Sequence, residues 1–264
     1  MKKIKISHEV PFCLLEESKT FNGYDYCLPH LMDQNPQYRD FFYKSKKEGR
    51  YIVMDNSLHE LGKAYNSKRL LHWINEIKPN EFIVPDVWEN QVESIVNARY
   101  WSKIKLPKGV TKVAVVQAQS LGEAMLCTKI YKELGYKKIA YSYGASYYNN
   151  LCPHLNSNIG KAVGRFLMIS ELFKSGFLLK SDRIHLLGTS WPAEFGMYKN
   201  MPFVESIDTS NPVMAALEGD EYGVLGINHK PQANMNSHAD IEEKYVDKSL
   251  VHYNVEMFKQ INGL

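Results

Sequence analysis

Cysteine is scarce, with four residues (Cys13, Cys27, Cys127, Cys152) in a chain of 264 and no C-x-x-C pair among them. That excludes a disulfide framework and, even with His30 and His154 nearby in sequence, a structural zinc site, so no metal is expected. Long apolar runs are missing too: no stretch of about 18 apolar residues occurs, and the basic start Met1-Lys2-Lys3 leads into no signal-like apolar segment. The expectation is a soluble cytoplasmic protein without a membrane partner. Neither sign of charge is in excess, since 32 Lys and Arg against 29 Asp and Glu leave a formal +3. A domain that coats nucleic acid carries a larger basic surplus, so composition permits nucleic acid without demanding it. No G-x-G-x-x-G follows the first apolar run, which speaks against a doubly wound sheet built round a dinucleotide, and no cofactor is expected.

What the chain does have is 44% hydrophobic residues, enough for one large core, and an alternation of short β-branched runs with amphipathic segments. Strands are predicted at residues 4–7, 50–54, 82–85, 111–116, 138–141, 183–187 and 203–208. Residues 22–32 read as an extended stretch running into a loop, and residues 222–226 as a last barrel strand weakened by two glycines. Helices are predicted from Ser67 as cap to Lys78, over 91–103 with Val92, Ile95, Val96 and Tyr100 inward, over 120–134, 160–177 and 213–217, and as a closing helix within 241–261. Residues 147–159 form a polar, Asn-rich connection longer than an ordinary βα loop. Strand and helix alternate at least six times, so the fold class is α/β, and the count favours a single-domain (β/α)8 TIM-type barrel over residues 1–264. The doubly wound open sheet is the alternative.

Four apolar runs end on a polar residue: Asp55, Asp86, Gln117 and Asp208. In a barrel these positions face the bowl where reactive groups gather. The plain alternative is that each caps the helix that follows, as Asp does routinely, but Gln is a poor cap and three clustered carboxylates repel one another. Paired carboxylates are the equipment for breaking a glycosidic bond, and an Asp with a Gln can read the hydrogen-bonding edge of a planar heterocycle. Together they point to a nucleobase on a sugar.

With these residues identified, the stretch from Tyr51 to Leu217 resembles the tRNA-guanine transglycosylases and their DNA-acting relatives, the 7-deazaguanine DNA transglycosylases of phages and bacterial genomic islands. Met54-Asp55-Asn56-Ser57-Leu58-His59 is similar to the family's D-S-G-G-F-Q segment, Val84-Pro85-Asp86 to its base-reading strand, and Val115-Val116-Gln117 to its V-Q-G segment. Residues 184–192, with Gly188, resemble Y-L-M-G-x-G-x-P, and residues 203–208 fall where the family keeps its nucleophilic aspartate. The resemblance implies Asp208 as the nucleophile, Asp55 as the proton-handling group, and Asp86, Gln117, Asn56, His59, Tyr143, Gly144 and Gly188 around the base. The family's C-x-C-x-x-C zinc subdomain has no counterpart, so DNA is the expected partner rather than tRNA. Ser142-Tyr143-Gly144-Ala145 replaces the family's G-G-L-A loop, and Ser57 and Leu58 replace its glycines.

The implied reaction opens the bond at C1′ through a covalent intermediate, resolved by an incoming free 7-deazaguanine or by water. The latter would make the chain a DNA glycosylase, with a place in phage-host conflict. A flipped base needs walls, for which Tyr143, Tyr147, Tyr148, His59 and Trp88 are candidates, although most rings in a chain this aromatic are packing. Lys161, Arg165, His229 and Lys230 are candidate phosphate contacts against the alternative of ordinary solvated charge. A tRNA-acting enzyme, a non-catalytic accessory subunit and an unrelated barrel enzyme acting on a sugar phosphate are the competing readings.

Overall fold

A computed structural model describes residues 4–154 and 156–264; residues 1–3, which carry the basic start, and Leu155, within the expected 147–159 connection, lie outside the described residues. Eight strands, β1 (Lys5–Ser7), β2 (Asp25–Cys27), β3 (Ile52–Met54), β4 (Glu81–Ile83), β5 (Thr111–Val116), β6 (Lys138–Ser142), β7 (Ile184–Leu187) and β8 (Val204–Asp208), form one sheet in the order β1-β8-β7-β6-β5-β4-β3-β2. With helices between successive strands, this is a (β/α)8 TIM-type α/β fold. The expected strand at 222–226 is a turn instead, in which Gly223 and Gly226 make an isolated antiparallel bridge. The eighth strand comes from the extended stretch, as β2, after which Pro29–Gln34 is a helix that starts on proline rather than a loop. The chain divides into two compact units, Gly23–Tyr141 and the remainder.

In the unit Gly23–Tyr141, the β2–β3, β3–β4, β4–β5 and β5–β6 pairs are all parallel. Nearly every residue of these strands is buried, which is why they read as continuous apolar runs rather than alternating ones. The helices Ser67–Ile77, Gln91–Ser102 and Leu121–Glu133 open on side chains that accept backbone N–H groups: Asn66 (not Ser67), Asn90 and Ser120. The Ser120 hydroxyl accepts the Glu123 N–H, and the Glu123 carboxylate reaches back past the cap to accept the Gln119 N–H. The helix Gln91–Ser102 is rotated from expectation. Val92, Val96 and Tyr100 are 69%, 59% and 60% exposed, whereas Ser94, Ala98 and Trp101 are buried. Trp101, the largest apolar side chain of the helix, packs on Phe82 at 5.3 Å, and the small Ser94 and Ala98 admit close approach: the Ser94 hydroxyl bonds Val87 and the Ala98 carbonyl takes the Tyr136 hydroxyl. At the N-terminal ends of β4 and β6 an ion pair is sealed from water, Lys138 Nζ to Glu81 Oε2 at 2.6 Å.

In the other unit, β1–β8 and β7–β8 are parallel, and Ser7 stands in register with Asp208. The long helix Ser157–Lys174 carries Gly164 where a Cβ would collide with the Tyr148 carbonyl, so glycine lets the short helix Tyr148–Leu151 lie directly against it. That short helix occupies part of the expected connection. The chain closes with the helix Lys248–Asn262, capped by Asp247, whose Phe258 packs edge-on to Phe195 and His8. No helix of the described residues is long and apolar enough to cross a membrane.

Candidate active site

The unit Gly23–Tyr141 gathers a carboxylate and amide cluster just past the ends of β3, β4 and β5. Asp86 is buried, and both its oxygens are engaged: Oδ1 accepts from Asn56 Nδ2 and Oδ2 from Gln117 Nε2, each at 2.6 Å. Asn56 also donates to the Val84 carbonyl, and Gln117 Oε1 accepts the Glu89 N–H, so the amides are fixed in orientation by backbone on their far sides. Burial pushes the Asp86 carboxyl up to about 7; the two amide hydrogen bonds oppose that shift and the nearby Asp55 charge adds to it. Near neutral pH this group is therefore both a donor and an acceptor.

Asp55, also buried, accepts from the Tyr26 hydroxyl at 2.9 Å and from the Ser57 N–H at 2.8 Å. Ser57 sits at φ 55°, a left-handed conformation that favours glycine, at the point where the resembled motif has one. Its hydroxyl meets His30 Nδ1 at 2.8 Å, and desolvation lowers the His30 ring to about 4, keeping it neutral. Gly would relieve the backbone at Ser57 but lose this bond. His59 and Trp88 are both exposed, their ring centroids 6.3 Å apart.

In the other unit, Asp208 ends β8 and is buried. His185 Nε2 lies 2.8 Å from Asp208 Oδ1, and His185 Nδ1 lies 2.8 Å from the Ser206 hydroxyl. The strands explain the triad. Ser206 and Asp208 are two residues apart and so share a face of β8, and His185 is in register with Ser206 on the parallel neighbour. The alternative that such strand-end residues serve as caps fails for Asp208, because its bond goes to His185 and the helix Asn211–Leu217 follows on Ser210. Gly188 follows β7 at φ 58°, and a Cβ there would meet the Tyr143 ring at 2.5 Å. Tyr143 is half-buried and accepts a hydrogen bond from Lys230 Nζ at 2.8 Å, which places Lys230 beside a candidate base wall. Gly144, next along, is buried.

Arg165 must be reassigned. It is wholly buried, with Nε 2.6 Å from Glu194 Oε1 and its terminal nitrogens donating to the Leu187 and Gly188 carbonyls, so it props the end of β7 and presents nothing to a phosphate. Thr189 and Tyr198 hydroxyls complete the shell round Glu194. Tyr147 and Tyr148 are buried against each other, with the Tyr148 hydroxyl on the Ser142 carbonyl, and belong to packing. Lys161 is half-buried on its helix, and His229 is bonded to Asp220 at 2.8 Å. Glu218, Asp220 and His229 form the group of metal-capable side chains found among the described residues; all lie at the surface, and Glu218 already accepts two backbone N–H groups.

His185 and Ser206 were not singled out from sequence. His185 sits inside an apolar strand run, and only the period-two spacing of Ser206 and Asp208 hints that a partner is required across the ladder. No protein-family model and no curated protein matches the chain.

Proposed function

We propose that the chain cleaves the N-glycosidic bond of a nucleobase in DNA through a covalent intermediate on Asp208. The observation that carries this reading is the bond between Asp208 and His185: a buried carboxylate at a strand tip is held through one oxygen by an imidazole instead of capping a helix. That leaves Oδ2 to attack C1′. As the Oδ2–C1′ bond forms, the C1′–N bond breaks and its electron pair passes to the base nitrogen, which is protonated by the group this reading assigns to Asp55. Asp86, near its midpoint at neutral pH, can give or take a proton in hydrogen bonds to the heterocycle edge, and Gln117 and Asn56 hold it for that task. His59 and Trp88 supply exposed rings, and Tyr143 a half-buried one, for an unstacked base. A free 7-deazaguanine entering at C1′ gives base exchange; water gives an abasic site.

The test is incubation with single-stranded and duplex DNA and with tRNA, each with and without a free 7-deazaguanine, reading released base, incorporated base and abasic sites. DNA-dependent base release that disappears in Asp208→Asn is the expected result. Full activity in that variant refutes the nucleophile, labelling of tRNA alone refutes the choice of DNA, and no base release from any nucleic acid refutes the reaction.

A further inference from the structure

Ser7 is the last residue of β1, fully buried, and its hydroxyl has no hydrogen-bond partner. A hydroxyl left unsatisfied away from water costs about 1–3 kcal/mol, so an orphan at a strand tip calls for a partner that arrives later. Its position says where. Ser7 and Asp208 are in register on neighbouring parallel strands, about 4.8 Å apart as strands lie, and residues so paired project to the same face. The next residue, His8, projects to the opposite face and packs edge-on to Phe21 and Phe258, which confirms the alternation. Since β8 lies between β7 and β1, Asp208 is flanked by His185 on one side and Ser7 on the other.

We propose that Ser7 is a substrate-contacting residue that hydrogen-bonds an oxygen of the pentose carrying the reactive C1′. A group beside the nucleophile meets the sugar rather than the base, whichever base is attached. The inference rests on the reading of Asp208 as the nucleophile. The hydroxyl orphaned in the free protein is satisfied only with the sugar seated, so binding energy from the pentose holds C1′ in line with Asp208.

The probes are a short single-stranded DNA, the RNA of the same sequence and free guanine, with affinities for the full chain measured by calorimetry. The variants are Ser7→Ala and Ser7→Thr, the second keeping the hydroxyl. Removing an orphan hydroxyl leaves unfolding stability unchanged or higher. Ser7→Ala weakens strand binding by about tenfold, the loss of one hydrogen bond. Free-guanine binding stays unchanged, and Ser7→Thr restores strand binding. Equal loss for strand and free base, no loss for either, a less stable Ser7→Ala, or a wild-type chain that binds no strand each overturns the inference. Ser7-dependent strand binding without base release leaves Ser7 as a sugar contact and refutes the cleavage reaction alone.

Discussion

Replacing Asp86 by asparagine should change how stability depends on pH more than it changes stability itself. In the wild type the carboxyl is buried between the Asn56 and Gln117 amides and titrates at about 7, against 3.8 for the group in an open chain. Between those values the folded chain holds a proton that the unfolded chain has released, so the unfolded state binds fewer protons and stability falls as pH rises. The contribution is whole below about pH 4 and is lost as pH rises through 7. At 1.36 kcal/mol per unit the swing amounts to roughly 4 kcal/mol. Asparagine does not titrate, and it faces two amide donors with only one acceptor, which adds a constant penalty. Urea unfolding of wild type and Asp86→Asn at steps from about pH 4 to 8 isolates the group. The wild-type advantage should shrink steadily with rising pH. A flat difference would mean that folding leaves the carboxyl unshifted, and one that grows with pH that the carboxylate is stabilised as an anion; in either case burial is not the dominant influence.

Other substitutions probe separate parts of the account. Glu81→Ala strands the Lys138 ammonium where water does not reach and should cost about 3–5 kcal/mol in urea unfolding; a loss below about 1 kcal/mol would show that the pair is solvated. Gly188→Ala places a Cβ at a left-handed position and into the Tyr143 ring, so it should lower stability by about 1–3 kcal/mol and shift the fluorescence of Tyr143, whereas an unchanged protein would contradict the close packing. His185→Asn removes the imidazole that holds Asp208 and should reduce kcat roughly a hundredfold with little change in KM or in circular dichroism, and an effect confined to KM would contradict a positioning role.

The strand ends were legible because a parallel strand buried on both faces is a short apolar run, and its polar terminus stands out against it. Asp55, Asp86, Gln117 and Asp208 were found this way, as was the alternation that defines the fold. The helix Gln91–Ser102 was misread because it carries apolar residues on two faces, and periodicity cannot weigh one Trp101 against Val92, Val96 and Tyr100. β2 is three residues with no β-branched member, so it gives a weaker strand signal than residues 222–226, whose glycines make a turn. Arg165 read as a candidate phosphate contact because its partner Glu194 lies 29 positions along the chain. His185 and Ser7 depend on the register of β8 with its two neighbours, a long-range property that local patterning does not carry.

The central claim, a covalent bond between Asp208 and C1′, is tested most directly by mass spectrometry of the protein quenched during turnover on a short DNA strand. The account predicts a mass increase equal to the strand less its displaced base, mapped by proteolysis to the peptide containing Asp208 and absent from Asp208→Asn. Base release with no adduct on that peptide, or an adduct on a different residue, would contradict it.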